Sequence, residues 1–126
     1  VAMAAGLAQL GLLRDTPDFY EELNRKGDVF FENIKKAVRE AGKPWQVNHI
    51  GSLGCIFFTD SPVENYAQAK TADTKAFAEY FSWMLGHGIY VAPSQFEAMF
   101  LSSAMTEEEL AGVLETLKEY LNKNQA

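Results

Sequence analysis

The fold class depends on one segment, residues 45–59, which reads WQVNHIGSLGCIFFT. Val47 and His49 alternate with Gln46, Asn48 and Ile50, and a period of two is typical of a strand with one buried face. The β-branched and aromatic side chains of the second half predict another strand, and the glycines between the two runs allow the chain to reverse direction. The segment therefore predicts two antiparallel neighbouring strands.

A long helix is predicted before these strands. Thr16 is the expected N-cap with Pro17 at the first helical position, and Gly42 is the expected residue after the C-terminus, followed by Pro44. The apolar and small residues between these ends recur every three or four positions. Such a stripe is more typical of one face of a domain core than of a coiled-coil seam. It consists of Tyr20, Leu23, Gly27, Phe30, Ile34, Ala37 and Ala41.

Further elements are predicted after the strands. Residues 63–73 are expected to be a polar connection, residues 73–85 a helix, residues 89–91 a short strand, and residues 96–102 a further strand or strand pair. The apolar face of that helix is expected to consist of Phe77, Phe81, Met84 and Leu85.

The last helix begins with a capping box, in which Thr106 and Glu109 satisfy each other's backbone N–H groups. Its predicted buried stripe consists of Leu110, Val113, Leu114, Leu117 and Leu121. The whole order is helix, helix, strand, strand, helix, strand, strand, helix. This order predicts an α+β domain with a mostly antiparallel sheet and helices packed on one face.

The first 13 residues, VAMAAGLAQLGLL, form an apolar helix pattern without an N-terminal cap. No Ser, Thr, Asp or Asn precedes them, so the first N–H groups of this helix have no side-chain partner. The segment is rich in Ala and Gly, which suits close packing against another surface. We therefore expect the sequence to be part of a longer polypeptide.

Composition and charge restrict the possible partners. The 126 residues match one domain, and the hydrophobic fraction of 48% is enough for a core. The net charge of −6 argues against a nucleic-acid partner, and the longest apolar run is too short to span a membrane. The one cysteine, Cys55, cannot form an internal disulfide, and its apolar surroundings are typical of a buried hydrophobe rather than a reactive thiol. We expect a cytoplasmic protein.

Few side chains are candidates for chemistry. His49 and His87 lack Cys, Asp or Glu at ligand spacing, so no metal site is predicted; His49 is interpreted as a partly buried polar contact and His87 as solvent-exposed. The lysines lie in polar segments, whereas a Schiff-base lysine needs a desolvated site. Glu97 is unusual because it lies between Phe96 and Phe100 in an aromatic stretch. Either its carboxylate lies on the outward face of a strand, or it reaches into a catalytic cavity.

Several segments resemble a known enzyme class. Residues 1–10, VAMAAGLAQL, are similar to the helix that leaves the cofactor domain in class III aminotransferases, which depend on pyridoxal 5′-phosphate (PLP). Two longer segments, VNHIGSLGCIFFTD and YAQAKTADTKAFAEYFSWMLGHGIYVAPSQFEAMFLSSAMTEEEL, resemble one family in that class, the glutamate-1-semialdehyde 2,1-aminomutases. The most specific pieces are residues 92–97 and 100–102. The resemblance extends over essentially the whole chain.

This resemblance implies an isomerase that converts glutamate-1-semialdehyde to 5-aminolevulinate in tetrapyrrole biosynthesis. Residues 1–126 would be its C-terminal small domain, and residues 1–13 would be the remnant of the interdomain helix. The large domain, which carries the PLP-binding lysine, would precede Val1, so the resemblance places no cofactor-binding residue in this chain. The implied partners are the large domain, a small-molecule substrate and, in a homodimer, a second subunit. The chain alone is expected to be inactive.

The resemblance also assigns site residues. Glu97 matches the glutamate that the family directs toward cofactor and substrate, and Ser94 and Gln95 are candidates for substrate binding or for supporting Glu97. Met99 and Met105 depart from the family pattern, so another class III transaminase remains an alternative. A free-standing α+β binding or dimerisation module is a second alternative, and it would require a properly capped first helix.

Overall fold

The computed structural model describes residues 1–123, which form five helices and three strands. Helices and strands alternate in blocks along the chain, as the sequence predicts for the α+β class. In chain order the elements are α1 (Ala2–Asp15), α2 (Phe19–Glu40), β1 (Gln46–Ile50), β2 (Leu53–Phe57), α3 (Tyr66–Ala69), α4 (Thr74–Gly86), β3 (Met99–Phe100) and α5 (Glu107–Asn122).

The sheet has the order β1-β2-β3 and both pairings are antiparallel. In the β1–β2 hairpin, Ile50 pairs with Leu53, and Gly51 turns the chain with a φ of 51°. β3 adds to the free edge of β2, where Leu53 pairs with Phe100. The predicted hairpin and the predicted antiparallel sheet are therefore confirmed.

The buried stripe of α2 covers the sheet only from Gly27 onward. Gly27 lies against the hairpin turn at Gly51, so the first two turns of α2 extend past the end of the sheet. For this reason the prediction of a buried Tyr20 is wrong: its side chain is 58% exposed. The stripe is also wider than predicted, since it includes two residues beside the predicted ones. The buried residues of α2 are Gly27, Phe30, Phe31, Ile34, Ala37 and Val38.

The predicted N-cap of α2 is wrong. α1 continues to Asp15, so Thr16 is the C-cap residue of α1 and cannot also begin the next helix. Phe19 N–H donates to the Thr16 carbonyl oxygen over 3.1 Å, and this turn delays the start of α2 to Phe19. At the other end, Gly42 has a φ of 66° directly after the helix, as its predicted role requires.

Two predictions between the hairpin and α5 are wrong. Residues 89–91 form no strand, because Ile89 N–H bonds back to the Met84 carbonyl oxygen and closes the end of α4. The predicted strand at 96–102 is reduced to the two residues of β3. Next to β3, Leu101 N–H donates to the Ser52 carbonyl oxygen over 2.9 Å. Residues 87–98 therefore form an irregular segment held between α4 and β2.

The connection at residues 63–73 is more ordered than its polar composition predicts. It contains the short helix α3, whose N-cap Asn65 accepts a hydrogen bond from Gln68 N–H. Val63, Ala69 and Ala72 are buried. Small apolar residues at these positions pack this connection onto the domain.

α4 and α5 complete the core. Asp73 caps α4 through Lys75 and Ala76 N–H, which confirms the predicted helix. Its buried side chains are Tyr80 and Met84, whereas the predicted Leu85 is exposed, because the buried face is centred one residue earlier in the turn. α5 buries Leu110, Leu117, Tyr120 and Leu121, with Val113 and Leu114 half-buried.

The capping box at the start of α5 is confirmed. Glu109 N–H donates to Thr106 Oγ1 over 3.1 Å, and Thr106 N–H donates to Glu109 Oε2 over 2.8 Å. These hydrogen bonds also lower the pKa of the Glu109 carboxyl. The box satisfies backbone donors that α5 would otherwise leave unpaired.

Thr106→Ala is expected to lower the free energy of unfolding by about 1 kcal/mol, because it removes the acceptor of the N-cap bond. The measurement is urea denaturation of the chain. Thr116→Ala is the control, since its hydroxyl donates to the Gly112 carbonyl oxygen inside α5 and caps nothing. Equal losses in the two variants would contradict the capping role.

α1 is the element with the least packing. It has no buried residue and no side-chain cap, as the sequence predicts for its N-terminus. Its exposed large apolar side chains are Met3, Leu7, Leu10 and Leu12. Among the described residues, no helix combines the length and the apolar character that crossing a membrane requires.

Candidate functional site

The three predicted site residues lie on one turn, residues 93–97, which we call the 93–97 turn. Glu97 N–H donates to the Ser94 carbonyl oxygen over 3.1 Å, and Phe96 N–H donates to Ser94 Oγ over 3.2 Å. The Cys55 thiol of β2 donates to the Glu97 carbonyl oxygen over 3.7 Å. Ser94 therefore stabilises the turn, and the Cys55 thiol of β2 makes one weak hydrogen bond to its last residue.

Glu97 is exposed and lies two residues before β3. Its carboxylate has no hydrogen bond or ion pair within residues 1–123. Because Glu97 precedes the strand, the interpretation that it occupies the outward face of a strand is wrong. The structure leaves the carboxylate free to interact with a group from outside the chain.

Gln95 has the opposite environment. Only 6% of the residue is exposed, and its side-chain Nε2 and Oε1 atoms are both buried without a hydrogen-bond partner within residues 1–123. A buried amide without partners is rare in folded proteins, because each unpaired group loses its hydrogen bonds to water. Gln95 is a candidate from the sequence only through the family resemblance, and no local pattern predicts its burial.

A groove of about 370 Å³ separates the 93–97 turn from α4. Ser94 and Gln95 both line it, whereas Glu97 does not. The structure thus brings Ser94 and Gln95 to one groove and leaves Glu97 beside it. The groove is lined by Thr74, Phe77, Ala78, Phe81 and Ser82 of α4, and by Pro93, Ser94, Gln95 and Phe96 of the turn.

Three exposed aromatic side chains either flank Glu97 in the sequence or contact its neighbour Phe96. Tyr66, Phe96 and Phe100, which we call the aromatic surface, are 67%, 48% and 65% exposed. The rings of Tyr66 and Phe96 are in contact, with centroids 5.5 Å apart. Tyr66 is not predicted from the sequence, because α3 brings it beside Phe96 from 30 residues earlier. Large apolar groups exposed together are typical of a surface that another surface covers.

The other candidate residues have structural roles. Cys55 is half-buried, and burial raises the pKa of its thiol more than a backbone hydrogen bond at Met99 lowers it, so the thiol is a poor nucleophile. His49 Nε2 lies 3.1 Å from Asp28 Oδ1 and the ring stacks on Phe31, which confirms a partly buried polar contact. Among the described residues, no group of three or more His, Cys, Asp or Glu side chains could hold a metal ion.

His87 and the two methionines also have local explanations. His87 is exposed, as predicted, and its Nδ1 lies 2.8 Å from the Trp83 carbonyl oxygen. Met99 packs against the core, with its sulfur 4.0 Å from the Tyr80 hydroxyl. The Met105 carbonyl oxygen accepts a hydrogen bond from Lys26 Nζ over 2.7 Å. Met99 is therefore a packing residue and does not line the groove.

The basic side chains lie away from buried sites. Within residues 1–123 no lysine is buried. Lys26 is bound to two backbone carbonyls, and three other lysines pair with glutamates on their own helices, namely Lys35, Lys36 and Lys118. The remaining lysines are Lys43, Lys70, Lys75 and Lys123, all of them exposed or half-buried. The three arginines are Arg14 in α1 and Arg25 and Arg39 in α2.

Several curated proteins that resemble the chain share one name. Glutamate-1-semialdehyde 2,1-aminomutase 1 of Lachnoclostridium phytofermentans is 49% identical over 121 residues, which is 96% of this chain and 28% of that protein. The aminomutases of Ruminiclostridium cellulolyticum and Sulfurihydrogenibium sp. are 48% and 50% identical over 98% and 90% of the chain. The chain spans under a third of the length of these relatives. No family model matches it.

Solved structures of transaminases share the fold. An omega-transaminase from Sphaerobacter thermophilus is 25% identical with a TM-score of 0.82, and a transaminase with PLP bound is 26% identical with a TM-score of 0.72. Each similarity covers 98% of this chain and 28% of the solved chain. A β-phenylalanine aminotransferase from Variovorax paradoxus, at 18% identity, shows the fold alone. The fold is thus that of one part of a much larger PLP-dependent enzyme.

Proposed function

We propose that the chain is the small domain of a glutamate-1-semialdehyde 2,1-aminomutase, because the relatives that it matches at 48–50% identity over 90–98% of its length carry that name. The complete enzyme would isomerise glutamate-1-semialdehyde to 5-aminolevulinate, for tetrapyrrole biosynthesis in the cytoplasm. The observation that carries the proposal is the identity of 49% over 96% of the chain. The chain alone would be inactive, because it supplies only part of the active site.

The described residues, 1–123, offer no lysine that fits a PLP site. A lysine that binds PLP needs a desolvated position next to the cofactor, whereas every lysine within residues 1–123 is exposed or half-buried, and several are bound to carbonyl or carboxylate oxygens. The PLP site would lie in the larger domain that the relatives' additional length represents. When bound there, PLP would supply the transfer of the amino group, and the small domain would bind and orient the substrate.

Glu97 would bind the cationic amino groups of the substrate. Its carboxylate is exposed and unpaired within residues 1–123, and two side chains of the aromatic surface, Phe96 and Phe100, lie within three residues of it along the chain. When the larger domain covers this surface, water is excluded and charge-assisted hydrogen bonds between carboxylate and ammonium become stronger. Ser94 would hold the turn in shape through its two hydrogen bonds.

Two surfaces of the chain are suited to contact with the rest of the enzyme. α1 is apolar on all sides and buries no residue, and a helix of that kind is normally enclosed by protein. The aromatic surface is the second. We propose that the larger domain covers both, and that the complete enzyme is a homodimer.

The test is an activity assay on a longer polypeptide that contains this chain and the larger domain. We expect it to form 5-aminolevulinate from glutamate-1-semialdehyde when no amino donor is added. The matched control is the 126-residue chain, which is expected to form none under the same conditions. A longer polypeptide that neither forms product nor binds PLP would contradict the proposed function and favour a binding or dimerisation module.

A second candidate function is transamination. The solved structures that share the fold at 25–26% identity are transaminases, and such an enzyme takes its amino group from an external donor. The same assay separates the two candidates, because a transaminase would bind PLP but form product only when a donor is supplied.

A further inference from the structure

The side-chain amide of Gln95 is buried, and no contact within residues 1–123 gives it a structural role. The 93–97 turn closes through the backbone and through Ser94, so it does not use the Gln95 amide. Both amide atoms are buried, and neither has a partner. A methionine would fill the same space without leaving polar atoms unpaired. Keeping an amide here lowers the stability of the chain by itself, which indicates a use outside it.

The missing partner must satisfy two requirements. It must accept a hydrogen bond from Nε2 and donate one to Oε1, and a backbone peptide group does both at once. Water is not that partner in the described chain, because neither amide atom is accessible to it. Gln95 already lines the groove beside α4, so rotation of its side chain toward the groove presents the amide to an incoming segment.

The difference in length between this chain and its curated relatives indicates which polypeptide occupies the groove. The chain corresponds to 28% of its curated relatives, so most of their polypeptide lies outside it. We propose that Gln95 is a positioning residue whose amide binds a backbone peptide group of the larger domain, and that this pairing holds the 93–97 turn so that the Glu97 carboxylate faces the substrate. This inference rests on the proposed function.

A hydrogen bond from Gln95 to the larger domain would add to the few contacts that hold the 93–97 turn in place. Its own bonds are short-range, and its link to β2 is a thiol contact of 3.7 Å. Glu97 is only two residues from Gln95 along the chain. A displacement of about 1 Å at the turn would carry Glu97 with it, and displacements of that size cost up to about a hundredfold in rate.

The first test compares stabilities. In the 126-residue chain, Gln95→Met is expected to raise the melting temperature by about 3–6 °C, because two unpaired polar atoms are removed. Gln68→Met is the matched control: Gln68 Oε1 accepts a hydrogen bond from Glu64 N–H over 2.7 Å, so its loss is expected to lower the melting temperature. In the longer polypeptide, Gln95→Met is expected to lower the melting temperature as well, since the amide is paired there. A decrease in both contexts would overturn the proposal, because the amide would then be paired within the chain.

The second test compares rates in the longer polypeptide. Gln95→Met is expected to lower kcat about ten- to a hundredfold with a smaller change in KM. In a Glu97→Gln background the same substitution is expected to have almost no further effect, because Gln95 acts through Glu97. A native kcat for Gln95→Met, or equal effects in both backgrounds, would overturn the positioning role.

The two proposals fail in different ways. If the native longer polypeptide forms 5-aminolevulinate and Gln95→Met is as active as the native protein, the role of Gln95 is wrong and the proposed function stands. If the native protein forms no product, the proposed function is wrong. The opposite signs of the two melting-temperature shifts then still decide whether Gln95 binds the larger domain.

Discussion

Replacing Glu97 with Gln is expected to lower kcat for 5-aminolevulinate formation by about a hundred- to a thousandfold in the longer enzyme. Removal of a charged or hydrogen-bonding group that stabilises charge in a water-poor site typically costs this much. Glutamine keeps the size and one acceptor oxygen but removes the negative charge. The measurement is steady-state formation of product at saturating substrate.

The same substitution is expected to leave the fold unchanged. The Glu97 side chain is exposed and unpaired within residues 1–123, so the melting temperature of the chain should change by no more than about 2 °C. Glu64→Gln is a matched control, because Glu64 is also exposed and lies outside the 93–97 turn. The hypothesis is wrong if Glu97→Gln keeps native kcat, or if it unfolds the chain while Glu64→Gln does not.

The hairpin, α4 and the capping box of α5 could be predicted because each has a local cause. A period of two, an Asp N-cap and a Thr-x-x-Glu pair are complete within a few residues. The register of β1 and β2 follows from one glycine turn. The signals that predict these elements require no knowledge of contacts distant in sequence.

Residues 87–101 could not be predicted by the same reasoning. Val91 is apolar and buried, as in a strand, yet the neighbouring Ile89 N–H is used by the end of α4. β3 is fixed by β2, through Leu53 and the Ser52 carbonyl oxygen, and not by its own sequence. Propensity is a weak guide where one backbone bond from a distant element decides the conformation.

The residues of the candidate site also divide into those that the local sequence indicates and those that only the tertiary structure brings together. Glu97 could be selected from its neighbours in sequence, since a carboxylate among aromatic residues is unusual. Tyr66 could not, because only α3 and its packing bring it beside Phe96. The burial of Gln95 also arises from tertiary structure, since no local sequence pattern predicts it.

Gly27→Ala is expected to lower the free energy of unfolding by about 3 kcal/mol, the largest effect on stability that we expect from one added methyl group. A Cβ at position 27 would overlap the carbonyl group of Gly51 and lie 2.7 Å from the Cα of Ser52. These are backbone atoms of the hairpin turn, so no side-chain rotation can relieve the contact. The measurement is urea denaturation of the 126-residue chain.

Gly112→Ala in α5 is the matched control, since a Cβ there meets no atom within 4 Å. It is expected to stabilise the chain by about 0.5–1 kcal/mol, because alanine is the better helix former. Equal effects of the two substitutions would show that helix propensity alone decides the outcome at Gly27.

The contact at Gly27 also connects the core to the candidate site. Ser52, which the new methyl group would displace, accepts the hydrogen bond from Leu101 N–H that holds the chain after β3. A shift of the hairpin turn would therefore move β3 and, two residues before it, Glu97. In the longer enzyme, Gly27→Ala is expected to lower kcat even at temperatures where it remains folded. A folded variant with native kcat would show that the close approach of α2 and the hairpin stabilises the domain without positioning Glu97.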